Sequence, residues 1–262
     1  MNMTILDQLA DHARQRVAAA KAVKPLSEIE REALALPKGD FPFERALSGE
    51  NLAFICECKK ASPSRGLIAP DFPYLAIARD YEAAGAEAIS VLTEPKWFLG
   101  SDDYLREIAK NASVPCLRKD FTVDEYMLYQ AKRLGASAAL LICAILDEAR
   151  LRDYIQICDG LGLSALVEAH DAAEVGMALR AGARIVGVNN RNLKDFTVDT
   201  GNSRRLRAMI PEGVLFVSES GVRDAADMRA AREIGANAVL VGEALMRAPD
   251  RGEKLMELRG TA

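Results

Sequence analysis

Eight short runs rich in Val, Ile and Leu punctuate the chain: Leu52–Cys56, Ala88–Leu92, Val114–Leu117, Ala138–Ile142, Ser164–Val167, Arg184–Val188, Val214–Val217 and Ala238–Val241. Their starts lie 20 to 36 residues apart, from Ser164 to Arg184 at the short end and from Leu52 to Ala88 at the long. Each interval holds a strand, a helix and two loops, the content of a βαβ unit. The runs lack apolar/polar alternation, which predicts strands buried on both faces. A Gly-Ala pair stands just before a run in AGAEAISVL from Ala84, LGASAALLI from Leu134, AGARIVGV from Ala181 and IGANAVLV from Ile234, where glycine reads as a helix C-cap. The segments between carry helical spacing, as in Tyr74, Ile77, Ala78 and Tyr81, or Met228, Ala231 and Ile234. Eight such units predict an α/β fold closed into a (β/α)8 TIM barrel rather than an open doubly wound sheet.

The 262 residues suit one barrel, which takes about 250. Residues 1–50 precede the first run and are too few for a core of their own. They contain a helical stretch around Ile5–Lys21 and a second around Ser27–Leu36 opened by Ser-Glu-Ile-Glu. The apolar residues Ile5, Leu9, Val17, Ile29 and Leu34 predict that this extension packs over one barrel mouth, giving a single domain over 1–262. Lysine and arginine total 34 against 38 acidic residues, a net charge of −4 that gives no footprint for nucleic acid. Five cysteines, Cys56, Cys58, Cys116, Cys143 and Cys158, are odd in number and several sit inside apolar runs, as reduced thiols in a cytoplasmic protein do. No second cysteine pair or histidine cluster accompanies Cys56 and Cys58, so no metal is expected. Charges interrupt every apolar stretch of the N-terminus, which predicts neither a signal segment nor a membrane partner.

In a barrel of this kind reactive groups project from the C-terminal ends of the strands. The runs end in Glu57-Cys58-Lys59, Arg118-Lys119-Asp120, Glu168, Asn189-Asn190-Arg191 and Ser218-Glu219-Ser220-Gly221. Glu57 and Lys59 are two apart on a strand and share a face, while Cys56 and Cys58 share the other. Alone, that pair is a salt bridge at a strand end, Lys119 a loop lysine and Glu168 a carboxylate leading a helix. Together at one mouth they describe a site with charges of both signs. Ser220-Gly221 and Gly242-Glu243 follow the seventh and eighth runs, where many barrels hold phosphate on backbone N–H groups, and Arg191 adds charge there. Two long loops, KKASPSRGLIAPD and TEPKWFLGSDD, have the composition of segments that close over a ligand, and Trp97 and Phe98 offer aromatic surface. The two histidines, His12 and His170, are far apart, and His170 reads as the start of a helix beside Glu168.

These segments closely resemble the indole-3-glycerol phosphate synthase family from about residue 5 to residue 250. The carriers are ICECKKASPSRG at Ile55–Gly66, SVLTEPKWFLGS at Ser90–Ser101, PCLRKDF at Pro115–Phe121, ALVEAH at Ala165–His170, GVNNRNLKDF at Gly187–Phe196, SESGV at Ser218–Val222 and LVGEALMR at Leu240–Arg247. The resemblance implies ring closure, decarboxylation and dehydration of 1-(2-carboxyphenylamino)-1-deoxyribulose 5-phosphate to indole-3-glycerol phosphate, with no cofactor. It implies Lys119 as general acid, Glu168 as acid/base in the later steps, and Lys59 as partner of substrate anions. Glu57, Asn189 and Ser220 would orient substrate; Gly221, Gly242, Glu243 and Arg191 would hold phosphate; Pro63 and Phe98 would border the aromatic ring. The expected partners are this phosphorylated small molecule and other enzymes of tryptophan biosynthesis, with the chain a monomer or weak homodimer. Two readings compete: an aldolase in which Lys119, its proton affinity lowered by Lys59, forms a Schiff base, and a non-catalytic barrel that only binds a sugar phosphate.

Overall fold

The computed structural model describes residues 3–192 and 196–260, so the outermost residues of the expected 1–262 domain and Leu193, Lys194 and Asp195 of the GVNNRNLKDF segment lie outside the described residues. Eight parallel strands form a closed barrel: β1 Ala53–Cys58, β2 Ala88–Leu92, β3 Cys116–Lys119, β4 Ala138–Ile142, β5 Ser164–Ala169, β6 Ile185–Asn189, β7 Leu215–Glu219 and β8 Ala238–Val241. The ring closes where β1 meets β8, in register from Ala53↔Ala238 to Cys56↔Val241. Every strand is covered by helices outside and by its neighbours' side chains inside, which is why the sequence shows continuous apolar runs.

Several strands run past the apolar residues that announce them. β1 extends to Cys58, β3 to Lys119, β5 to Ala169, β6 to Asn189 and β7 to Glu219. Hydrophobicity stops earlier because the last inward positions are Glu57, Lys119, Glu168, Asn189 and Glu219, and the ladder continues because the lumen pairs these charges with one another. The helix caps follow expectation: Gly85, Gly135, Gly182 and Gly235 adopt φ of 88°, 85°, 92° and 67°, a left-handed geometry that glycine adopts freely.

The N-terminal segment forms α1 Ile5–Val23, α2 Leu26–Leu34 and α3 Pro42–Leu47. The second begins before Ser27, with Pro25 at its N-cap and no side-chain cap, and it buries Ile29 and Ala33 while Leu34 is exposed. The expectation that Leu34 packs is therefore corrected. Pro42 at the first turn starts α3, which carries no apolar periodicity long enough to read in advance. Helix α1 buries Leu9, Ala13 and Val17 and is tied to the barrel rim by polar contacts. Arg16 donates to both oxygens of Asp120 at 2.6 and 3.1 Å, Lys21 to Asp124 at 2.8 Å, and His12 Nδ1 lies 3.1 Å from Glu94.

Between α2 and α3 the chain touches the barrel at Gly39, whose N–H donates to the Leu161 carbonyl at 3.0 Å. A side chain on Gly39 would strike the backbone of Gly162, and one on Gly162, at φ 69°, would strike Gly39. We predict that Gly162→Ala destabilises the fold by about 2–4 kcal/mol, from the left-handed backbone and the backbone collision together. A thermal melt within a degree of the native protein would show that the linker moves aside without loss.

Candidate active site

A cavity of about 550 Å³ opens at the C-terminal mouth of the barrel, and each of the twelve site residues expected from the sequence lines it. Its centre is Lys119. The Lys119 ammonium donates to Glu168 Oε2 at 3.3 Å and lies 3.7 Å from Glu219 Oε2. Burial lowers its proton affinity, but Glu168, Glu219 and Glu57 outweigh burial and raise it overall. Glu168 is 2% exposed. Burial pushes its carboxyl up, yet Lys119, His170 and a hydrogen bond from Asn189 bring it below its usual range, so it is an anion at rest. Glu219 has the reverse outcome. Burial and the charges of Glu168 and Glu57 exceed the help from Lys119 and push its carboxyl up to about 8, so it keeps its proton at neutral pH.

Glu57 and Lys59 project into the same cavity, 2.7 Å apart, while Cys56 and Cys58 are buried against the helices as strand alternation requires. Ser90 on β2 donates to the second Glu57 oxygen at 3.3 Å. Gly242 makes room for this pair: a Cβ there would sit 2.6 Å from Glu57 Oε1 and 2.9 Å from Lys59 Nζ. It is a close-approach glycine rather than only a turn.

A second cluster is basic. Glu243 is held by Arg65 at 3.0 Å, Arg247 at 3.2 Å and Arg191 at 3.8 Å, three guanidiniums on one carboxylate. The side chain of Glu243 thus orders the arginines while leaving the cluster net positive, suited to a dianion. Beside it Ser220 holds φ 65° and Gly221 φ 98°. The Asn190 side chain pins this turn, donating to the Ser220 carbonyl at 3.0 Å and to Ser218 Oγ at 3.2 Å, and accepting from the Ser203 N–H and hydroxyl at 3.0 and 2.9 Å.

The loop after β2 is less free than its composition suggests. Glu94, fully buried, accepts the N–H groups of Lys96, Trp97 and Phe98 at 3.0, 2.7 and 3.0 Å and fixes a tight turn. Phe98 faces the cavity, whereas Trp97 turns to His12 with ring centroids 5.4 Å apart. The loop after β1 folds into a small hairpin, Ala61–Ser62 against Gly66–Leu67, that carries Pro63 and Arg65 over the mouth.

Three residues named from the sequence without a site role make contacts that only the fold reveals. Glu219 is the third carboxylate on Lys119, and its signal was Gly187, a lone glycine inside a strand: a Cβ on Gly187 would collide with Glu219 Oε1. His170 approaches Glu168 from behind, with Nε2 3.5 Å from Oε1. Asn190 shows no signal beyond a polar residue after a strand.

The fold and site together have the layout of a barrel enzyme, with acid and base side chains on the floor of a cavity and arginines on its rim. The family model for indole-3-glycerol phosphate synthase matches residues 6–258. The chain is 58% identical over 259 residues to the indole-3-glycerol phosphate synthase of Ruminiclostridium cellulolyticum, covering 98% of this chain and all of that one. It is 47% identical to the synthase of Leuconostoc mesenteroides, covering 98% and 99%. Among solved structures, a 3-hexulose-6-phosphate synthase aligns at TM-score 0.64 and 16% identity, over 80% of this chain and 99% of its own, a likeness of fold alone. The chain belongs to the indole-3-glycerol phosphate synthase family, and with it to the carboxy-lyases of tryptophan biosynthesis. No helix among the described residues is long and apolar enough to cross a membrane.

Two predictions follow from this geometry. Gly242→Ala should push Glu57 and Lys59 apart and lower kcat by about tenfold or more; a kcat within twofold of native would show that the pair shifts without consequence. Because folding raises the Glu219 carboxyl from 4.5 to about 8, its stabilising contribution is whole below the ordinary carboxylate range and is lost as pH rises through 8. Glu219→Gln removes that loss, so its melting temperature relative to native should be higher at pH 9 than at pH 6. An offset that is equal at both pH values would mean Glu219 ionises normally.

Proposed function

We propose that this site closes the ring of 1-(2-carboxyphenylamino)-1-deoxyribulose 5-phosphate, releases carbon dioxide and then water, and leaves indole-3-glycerol phosphate. The observation that carries the assignment of roles is Lys119: a partly buried ammonium among Glu168, Glu219 and Glu57, in a cavity whose rim presents Arg65, Arg191 and Arg247. As the ring carbon attacks the ketone, charge develops on the carbonyl oxygen, and Lys119 is the acid that protonates it. Lys59, the other cation at the centre, pairs with the departing carboxylate, while Glu57, Asn189 and Ser220 orient the intermediates.

Once Lys119 has given up its proton, Glu168 loses the charge that kept it anionic. A buried carboxylate beside a neutral amine binds a proton readily, so Glu168 becomes the acid for the leaving hydroxyl. The phosphate rests on the backbone of Gly221, Gly242 and Glu243 with Arg191 beside it, and Pro63 and Phe98 border the aromatic ring. Acids and bases all come from side chains of this chain. The five free, buried cysteines suit a reducing cytoplasm, where the N-terminal helices and barrel act as one unit, a monomer or weak homodimer alongside other enzymes of the pathway.

The aldolase reading requires a lysine that gives up its proton easily. Lys119 instead has its proton affinity raised by three carboxylates, and Lys59 is engaged by Glu57 rather than directed at Lys119. A barrel that only bound a sugar phosphate would need the arginine cluster but not buried, mutually paired charges, which are costly to keep. The test is indole fluorescence on mixing protein and substrate. Lys119→Ala should lower kcat by about 10²–10⁴ with KM within a fewfold of native. A variant that retains most of its turnover would remove Lys119 from the chemistry.

A further inference from the structure

We propose that His170 and Glu174 form a proton relay that connects the buried Glu168 to solvent and recharges it during each turnover. The inference rests on the role given to Glu168 above. The reaction consumes a proton: a carboxylate leaves as neutral carbon dioxide, so protonation of the ketone oxygen and of the leaving hydroxyl together take one proton more than the loss of a carbon-bound hydrogen returns. That proton must reach groups shut from water, since Glu168 is 2% exposed and Glu219 1%.

His170 is placed to deliver it. The residue follows β5, two positions after Glu168, and its ring is oriented from outside: Glu174, on the helix Ala172–Ala181, accepts the His170 backbone N–H at 2.7 Å and lies 3.2 Å from ring Nδ1. Asn202 holds the His170 carbonyl at 3.0 Å. The other ring nitrogen, Nε2, is buried with no hydrogen-bond partner and lies 3.5 Å from Glu168 Oε1. A buried ring nitrogen without a partner is unusual. Here it is directed at the carboxylate that needs a proton, at a distance that a small shift would close to a hydrogen bond. The side chains of His170 and Glu174 remain 18% and 19% exposed, so the path ends in water.

The charged groups facing the ring are Glu168 on its own strand, Glu174 on the following helix and Glu219 on β7, with Lys119 beyond Glu168. Burial lowers the proton affinity of the ring, but the hydrogen bond to Glu174 and the charges of Glu168, Glu174 and Glu219 outweigh it, so the ring binds its second proton more tightly than a free histidine. In the step itself the imidazolium Nε2–H passes its proton to Glu168 Oε1, the N–H electron pair returning to nitrogen. This leaves a protonated Glu168 and a neutral ring whose Nδ1–H stays on Glu174. A turn of the ring about its Cβ–Cγ bond then swings the bare Nε2 from Glu168 to the exposed edge, where it takes a proton from solvent, and the reverse turn brings the imidazolium Nε2–H back to Glu168.

The test is a variant series in the indole assay. Glu168→Gln should lower kcat by about 10²–10⁴; if it does not, the role of Glu168 itself fails, whatever His170 does. With that loss in hand, His170→Asn should lower kcat by about tenfold or more with KM within twofold, and in His170→Ala added imidazole at fixed pH should restore rate in proportion to its concentration. Glu174→Gln, which keeps an acceptor for the backbone N–H but removes the charge, should move the alkaline limb of the kcat profile to lower pH. The relay is overturned by any of three results: His170→Asn turning over within twofold of native, His170→Ala losing rate that imidazole does not restore, or a Glu174→Gln profile that superimposes on the native one.

Discussion

The mutual neutralisation of Lys119, Glu168, Glu219, Glu57 and Lys59 inside a closed ring of strands is the constraint on which the rest of this structure depends. Transferring any one of these charges alone from water to the lumen would cost several kcal/mol. Together they are tolerated because two ammoniums face three carboxylates and one carboxylate, Glu219, keeps its proton. That balance is local and fragile. Moving one proton from Lys119 would change what its neighbours hold, which is the physical basis for the acid role proposed for Glu168.

Strand alternation lets the same segments serve two purposes. On β3, Lys119 faces the lumen while Arg118 is buried on the outside, donating to the Met127 carbonyl at 2.9 Å and to Asp102 at 3.0 Å. The next residue, Asp120, accepts from Thr93 at 2.6 Å and from Arg16 on α1. The residues immediately before and after the central lysine are therefore locked into a polar network that includes the N-terminal helix. Because α1 also contributes Ile5, Leu6 and Leu9 to the cavity wall, its docking sets both the shape of the pocket and the backbone that carries Lys119.

Strand count, barrel closure and helix caps were readable because each follows from burial on two faces or from backbone geometry that only glycine adopts easily. The candidate site was readable for a related reason: polar residues that interrupt an apolar run at a strand's C-terminal end have few places to go except the lumen. What escaped was anything set by three-dimensional neighbours. Glu219 looks like one residue of a polar loop until Gly187, on the adjacent strand, is seen to make space for its carboxyl. His170 reads as a helix start, and only the fold shows Glu168 on one side of its ring and Glu174 on the other. Leu34 fits an apolar list yet is exposed, since the buried face of α2 carries Ile29 and Ala33 and the next residue points about 100° away from it. The loop after β2 was rich in turn formers, and a single buried carboxylate, Glu94, decides that it is fixed.

The two halves of the cavity solve opposite electrostatic problems. The rim holds arginines with too few carboxylates and therefore attracts a dianion, whereas the floor holds carboxylates with too few cations and therefore retains protons. A substrate with a phosphate at one end and a benzoate at the other would be oriented by this division before any specific contact forms, because its phosphate matches only the rim. Its carboxylate, brought to the floor, meets Lys59 and Lys119 already engaged by Glu57 and Glu168 and must compete for them. Loss of that carboxylate as a neutral gas, in the proposed reaction, would end the competition. The same shortage of uncommitted cations that makes the floor costly to fold would thus weigh on the carboxylated ground state more than on the transition state of the proposed decarboxylation.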